Sequence, residues 1–323
     1  MTSNPTLDGV LIQWGERLFH PRNRIVSSHT PRLHTTSQRA ATIRRRIEAT
    51  VRRAPQVMVK VTGGGRGMIA IAAHLRYISQ NGRLDIEDDR GVIERGKDVL
   101  HGIERQWRVG GSLIDHYSPR REAFNIMLSM PCGTDPLTVQ RAAREFAKVE
   151  LADHRYVMVL HDHQANPHVH ISVRAESKHG QRLNPRKADL HRWRETFAER
   201  LRGWGIDAEA TPQAVRGSRH RNDRVWARKT GFPRERRPSK AEGLPTGMRR
   251  QAVQAWATIM RALAASPEAS DRELAQSINQ YLQRMPAVRA IFRHQAQQHE
   301  LPTLNRSPIV TPTPQRRGPE MER

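Results

Sequence analysis

A single cysteine, Cys132, stands in 323 residues, so the chain forms no internal disulfide and fits a reducing compartment. Its surroundings, "MPCGTDP", supply no nearby base, which argues against a cysteine nucleophile. Hydrophobic residues make up 37% and aromatics only 5%, so part of the length, not all of it, buries a core. No apolar run approaches the roughly 20 residues that cross a bilayer. The N-terminal "MTSNPTLDGVLIQWGERLFHPRNR" lacks the compact apolar stretch and cleavage site of a secretory signal, and a bacterial cytoplasmic location is expected. Acids are scarce too. Thirty-two Asp and Glu face 55 Lys and Arg, a formal charge of +23. Such an excess points to a polyanionic partner, of which a phosphate backbone is the commonest.

The bases are unevenly spread. Residues 1–54 hold ten Arg, no Lys and three acids, and read as a flexible basic arm with some helix in "RLHTTSQRAATIRRRIEATVRR". Residues 55–215 have the texture of a compact domain. Residues 216–250 set twelve bases against three acids, with Trp226 and Phe232 among them, as a linker or a clamp on nucleic acid. Residues 251–300 read as a short helical module, and 301–323 as a Pro-rich tail.

Within the compact region "QVMVKV" alternates like a strand, with Val57, Val59 and Val61 set against Met58 and Lys60. After "GGGRG" comes an Ala-rich helix, "MIAIAAHLRYIS". "NGRLDIEDDRG" reads as a turn with an acidic patch, and "GVIERGKDVLHGIERQWR" as a second helix. Residues 123–130, "AFNIMLSM", alternate as a strand. Asp135 and Pro136 suit the N-cap and first turn of the helix that follows. "RYVMVLHD" and "PHVHISVRAE" are two strands joined by a few polar residues, hence a hairpin. A helix closed by Gly205 completes the region. This order predicts an α+β fold with a mainly antiparallel central sheet covered by helices, not a doubly wound parallel one.

"HDHQANPHVH", residues 161–170, packs four imidazoles into ten residues. Side chains alternate along a strand, so His168 and His170 share one face, and His161 can join them across the hairpin. Three neutral imidazoles suit Mn²⁺, Co²⁺, Ni²⁺ or Zn²⁺ better than Mg²⁺, although cellular supply can override that preference. Three ligands leave open positions, the mark of a catalytic metal. A structural zinc would call for a fourth ligand, for which Cys132 is the one cysteine available. The plain alternative is surface histidines of a basic protein that carries 16 of them.

The stretch "VLHDHQANPHVHISVRAES" resembles the third motif of relaxases, the His-hydrophobic-His (HUH) endonucleases that nick plasmid DNA for conjugative transfer, and among them the P-type mobilisation group that includes T-DNA border nickases. "VTGGGRGMIAIAAHLRYISQNGRLDIED" is similar to their first motif, and "NIMLSMPCGTDPLTVQRAAREFA" to their second; the likeness extends over roughly residues 56–217. It implies an HUH relaxase fold and a divalent metal, Mn²⁺ or Mg²⁺ first and Zn²⁺, Co²⁺ or Ni²⁺ next, held by His161, His168 and His170. It implies Tyr77 as the nucleophile, although on the residues alone a helical tyrosine is packing. The product would be a 5′-phosphotyrosyl link and a free 3′-OH. Tyr117 is a distant second, Tyr156 reads as core, and Tyr281 lies outside the matched stretch. The family's usual His-x-Asp is altered here: His163 stands in the Asp place and Asp162 one position early, so both compete for the role of orienting a ligand or accepting a proton. His74, one turn before Tyr77, could tune it or simply pack.

DNA contacts are implied for Arg66, Arg76, Ser129 and Thr134, and stacking for Trp226. The implied partners are single-stranded or melted origin-of-transfer DNA, accessory nicking proteins and a type IV secretion coupling protein, with passage alongside the transferred strand and no membrane insertion. Other readings are a non-catalytic nucleic-acid-binding protein, a zinc hydrolase using metal-bound water, and a rolling-circle replication initiator or transposase. The last generally places its tyrosine after the histidines, unlike this chain.

Overall fold

The computed structural model describes residues 6–19, 35–216, 247–285, 288–289 and 291–292. Six strands form one open sheet: β1 (Met58–Gly63), β2 (Ile86–Asp88), β3 (Ile93–Glu94), β4 (Ala123–Ser129), β5 (His154–His161) and β6 (His168–Ser177). Their order across the sheet is β1-β4-β6-β5-β2-β3, and every neighbouring pair is antiparallel, as expected for an α+β fold.

Strand alternation sorts the side chains onto two faces. Phe124, Ile126, Leu128, Met158, Val169, Ile171 and Val173 pack on one face against α5 (Pro136–Glu150) and α6 (Lys187–Gly203). Phe146 meets Trp193 and Phe197 edge-on there, with ring centres 6.1 and 6.4 Å apart. Asp135 caps α5 by accepting from the Thr138 amide at 2.8 Å. Past α6, Gly205 at φ 82° lets the amides of Gly205 and Ile206 bond back to Arg202 and Leu201, a Schellman closure.

The opposite face carries the histidines. α3 (Met68–Ile78) and α4 (Lys97–Val109) cover part of it, burying Ile71, Leu75, Ile78, Leu100, Ile103 and Trp107 against Val157 and Val159 of β5. The β1 side of that face stays open, with Met58, Lys60 and Thr62 exposed. The acidic stretch read as a turn holds β2 and leads into β3, which falls at the start of the stretch read as the second helix, so that α4 begins only at Lys97. Asp88 organises this β2–β3 hairpin by accepting from the amides of Arg90 and Val92 at 2.9 and 3.0 Å, local bonding that leaves no strand periodicity to read.

The described parts of the N-terminal segment, residues 6–19 and 35–54, differ from the expected flexible arm. α1 (Leu7–Phe19) and α2 (Thr36–Val51) pack with α7 (Met248–Ala264) and α8 (Ala269–Gln283) around a second core of Leu11, Leu18, Ile43, Ile47, Trp256, Ile259 and Ile278. Leu11 and Leu18, and Ile43 and Ile47, fall at helical spacings, an apolar stripe hidden among arginines. A Cβ at Gly15 would lie 2.2 Å from Ile43, so glycine there sets how closely the two helices approach. Among the described residues the C-terminal helices are thus half of a shared four-helix core. No described helix is long and apolar enough to cross a membrane.

Candidate metal centre

The β5–β6 register pairs His161 with His168, and His170 follows on the same face. The ring centres of these three histidines are 4.7–5.1 Å apart, and one nitrogen from each lies within 4.8 Å of the other two. Two rings are held by their outer nitrogens. His161 Nε2 donates to the Ile78 carbonyl at 2.6 Å and His168 Nδ1 donates to the Asn166 carbonyl at 2.9 Å, which leaves His161 Nδ1 and His168 Nε2 with free lone pairs. His170 Nδ1 is buried without a partner.

Burial lowers the His161 pKa, and burial together with the neighbouring imidazoles pushes His170 down to about 3. Both are therefore neutral near pH 7, the form that binds metal. Three convergent imidazoles, with no carboxylate or cysteine in the group, fit a divalent ion. Cys132 is exposed and stands outside the group.

Tyr77 stands at the C-terminal end of α3 and is 71% exposed. The next residue, Ile78, supplies the carbonyl that holds His161. His74, one turn earlier, has its ring 6.3 Å from that of Tyr77 and 6.4 Å from that of His170. The phenol therefore lies no more than these two steps from the cluster. The helix end nearest the cluster is its C-terminus, whose partial negative charge favours a cation.

Its other end is fixed. Gly67 takes φ 91°, and a Cβ there would meet the His116 carbonyl at 2.3 Å. The amides of Met68 and Ile69 bond to the Asp115 and His116 carbonyls. Tyr117, 78% exposed, therefore sits at the start of α3, roughly 13 Å from Tyr77 along the helix at ~1.5 Å per residue. Tyr156 and Tyr281 are buried, and burial pushes both hydroxyls up to about 12.

The remaining sequence-derived residues divide. His163 is exposed on the connection after β5 with its ring 5.1 Å from His161, and Asp162 beside it is exposed. Arg66 bonds the Pro119 carbonyl at 3.2 Å, and Arg76 is paired with Glu104 at 3.1 Å; both are exposed. Thr134 sits in the turn before α5, its hydroxyl donating to the Pro131 carbonyl at 2.9 Å. Ser129, for which a DNA contact was expected, lies on β4. It is buried opposite His168 with its hydroxyl donating to the Met130 carbonyl. Trp226 and Phe232 lie outside the described residues.

Lys60 was not foreseen as a site residue. It stands opposite Met127, which stands opposite His170, so an exposed cation lies two strands, about 10 Å, from the cluster on the open face. The alternation in "QVMVKV" shows that Lys60 opposes the valines, but only the sheet order brings it to the histidine side.

Comparison with known proteins agrees with this architecture. Residues 105–206, which include β4 and the three histidines but not Tyr77, match the family "Relaxase: MobA/VirD2-like, nuclease domain". The T-DNA border endonuclease VirD2 of Rhizobium radiobacter is 23% identical over 182 residues, 50% of this chain and 43% of that protein. The chain thus spans less than half the length of that relative. The stretch that holds the three histidines is thus similar to the nuclease domain of MobA/VirD2-like relaxases.

Proposed function

We propose that the protein is a site- and strand-specific DNA nickase and strand transferase that starts conjugative mobilisation from an origin of transfer. The observation that carries this reading is the exposed Tyr77 on the helix end whose next carbonyl holds His161. The Tyr77 oxygen attacks the scissile phosphorus, a Tyr–O–P bond forms, and the bond to the 3′-oxygen breaks. The DNA 5′-phosphate stays on the tyrosine and the other fragment leaves with a 3′-OH. The ester conserves the bond energy, so the reverse attack reseals the strand without ATP.

A divalent ion, Mn²⁺ or Mg²⁺ first, held by His161 Nδ1, His168 Nε2 and His170, would neutralise charge developing on that phosphate. In this reading His163 or Asp162 takes the phenolic proton. Lys60, Arg66 and Arg76 supply exposed positive charge for the backbone of a melted strand, and Thr134 a hydroxyl near the turn before α5. We assign this chemistry to the bacterial cytoplasm, with accessory nicking proteins and a secretion coupling protein as partners and onward passage with the transferred strand.

The test uses the full chain, Mn²⁺ and a single-stranded oligonucleotide bearing the cognate origin, labelled at one end or the other. A 3′-end label should stay on the protein through denaturation while a 5′-end label migrates free. Cleavage that releases both labels would instead mean hydrolysis by water, and the covalent route would be wrong.

A further inference from the structure

His170 Nδ1 and His74 Nε2, on neighbouring rings, are both buried without a hydrogen-bond partner. The two rings lie 6.4 Å apart, edge to face. A buried polar atom without a partner costs on the order of 1–3 kcal/mol, so two on adjacent side chains call for a common explanation. They are also complementary. One imidazole nitrogen can donate and the other accept.

The other two ligands show what is missing. His161 and His168 each donate their outer N–H to a backbone carbonyl, which fixes the tautomer and aims the remaining lone pair into the cluster. His170 has no such carbonyl.

We infer that His74 is the positioning residue for His170: His170 Nδ1–H donates toward His74 Nε2, leaving the His170 Nε2 lone pair for the ion. A ring separation of 6.4 Å fits a link through one bridging water better than direct contact. His74 lies on α3 with Tyr77, so the same link registers the helix carrying the phenol against the ligand strand β6. The inference rests on the metal reading of the three histidines, but the tautomer it demands can be read without metal.

The experiment is long-range ¹H–¹⁵N correlation of histidine side chains in the full, metal-free chain, with the His170 signals identified by their loss in His170→Gln. His170 should be in the Nδ1–H form in the parent protein. His74→Phe keeps a ring but removes the acceptor, and should convert His170 to a mixture of tautomers. His74→Gln, whose amide oxygen can accept, should restore the Nδ1–H form. Calorimetric titration with Mn²⁺ should show affinity reduced about tenfold in His74→Phe and recovered in His74→Gln.

A His170 that is mainly Nε2–H in the parent protein overturns the inference, as does a tautomer unchanged in His74→Phe. Should the parent protein fail to bind any divalent ion while the tautomer responds as described, the metal reading fails and the His74–His170 link stands.

Discussion

Arg46 of α2 tests whether the N-terminal helices are a fixed part of this protein. Its guanidinium is 2.7 Å from Glu195 on α6, 3.5 Å from Glu209, and 4.3 Å above the ring of Phe19 on α1. Glu209 is wholly buried in the segment that pairs with Gln56 just before β1, and its other basic neighbour, Arg202, stands at 3.7 Å. Arg46→Ala removes the nearer cation and leaves that carboxylate deep in the fold. Breaking a buried pair from one side costs about 3–5 kcal/mol, because the surviving charge has lost both water and partner. Urea unfolding of the full chain at pH 7 should show a loss of that size.

The pH dependence follows from Glu209, whose pKa burial already raises above the ordinary carboxylate value. A raised carboxylate favours the fold when protonated, and that contribution fades as pH climbs through its folded pKa. The Arg46→Ala deficit should therefore be largest at neutral pH and shrink as the medium is acidified toward the unfolded value of about 4.3. A loss below about 1 kcal/mol at pH 7, or a deficit that grows on acidification, would refute the buried-pair account and with it the docking of α2 on the nuclease domain.

Tyr77→Phe should abolish the 3′-label adduct, while stability changes by less than about 0.5 kcal/mol because the hydroxyl is exposed. Tyr117→Phe should leave adduct formation intact; in-gel label counting with paired urea melts separates the two. Lys60→Ala should weaken binding of single-stranded DNA at all sequences and reduce the log–log salt slope by about 0.7, measured by anisotropy from low to moderate salt. Gly15→Val would drive a side chain into Ile43 and should destabilise the chain by about 1–3 kcal/mol in thermal melts.

Much of the site was legible because its signals are local. The alternation of "HVHISV" puts His168 and His170 on one face, and a short polar connection is enough to bring His161 across to them. The Asp135–Pro136 start of α5 and the Gly205 stop of α6 were likewise readable, since caps depend on a few adjacent residues. The β2–β3 hairpin was not, because its strands are two or three residues long and one aspartate side chain organises the turn. The four-helix core escaped for a different reason. Its halves are separated by about two hundred residues, and the apolar stripes of α1 and α2 run among so many arginines that composition alone suggests a solvated arm.

The amino-acid order by itself determined the helix caps, the two-residue alternation of the strands and the placing of His168 and His170 on one strand face, all of which follow from backbone geometry over a few residues. Only the tertiary structure decided which strands are neighbours, and hence that Lys60 shares a face with His170 while Ser129 is buried beside His168. It also decided that the end of α3, through the Ile78 carbonyl, and not its beginning meets the histidines, separating Tyr77 from Tyr117. Those outcomes depend on burying apolar faces across long chain separations, a free energy shared by the whole sheet and its helices and so written in no single stretch.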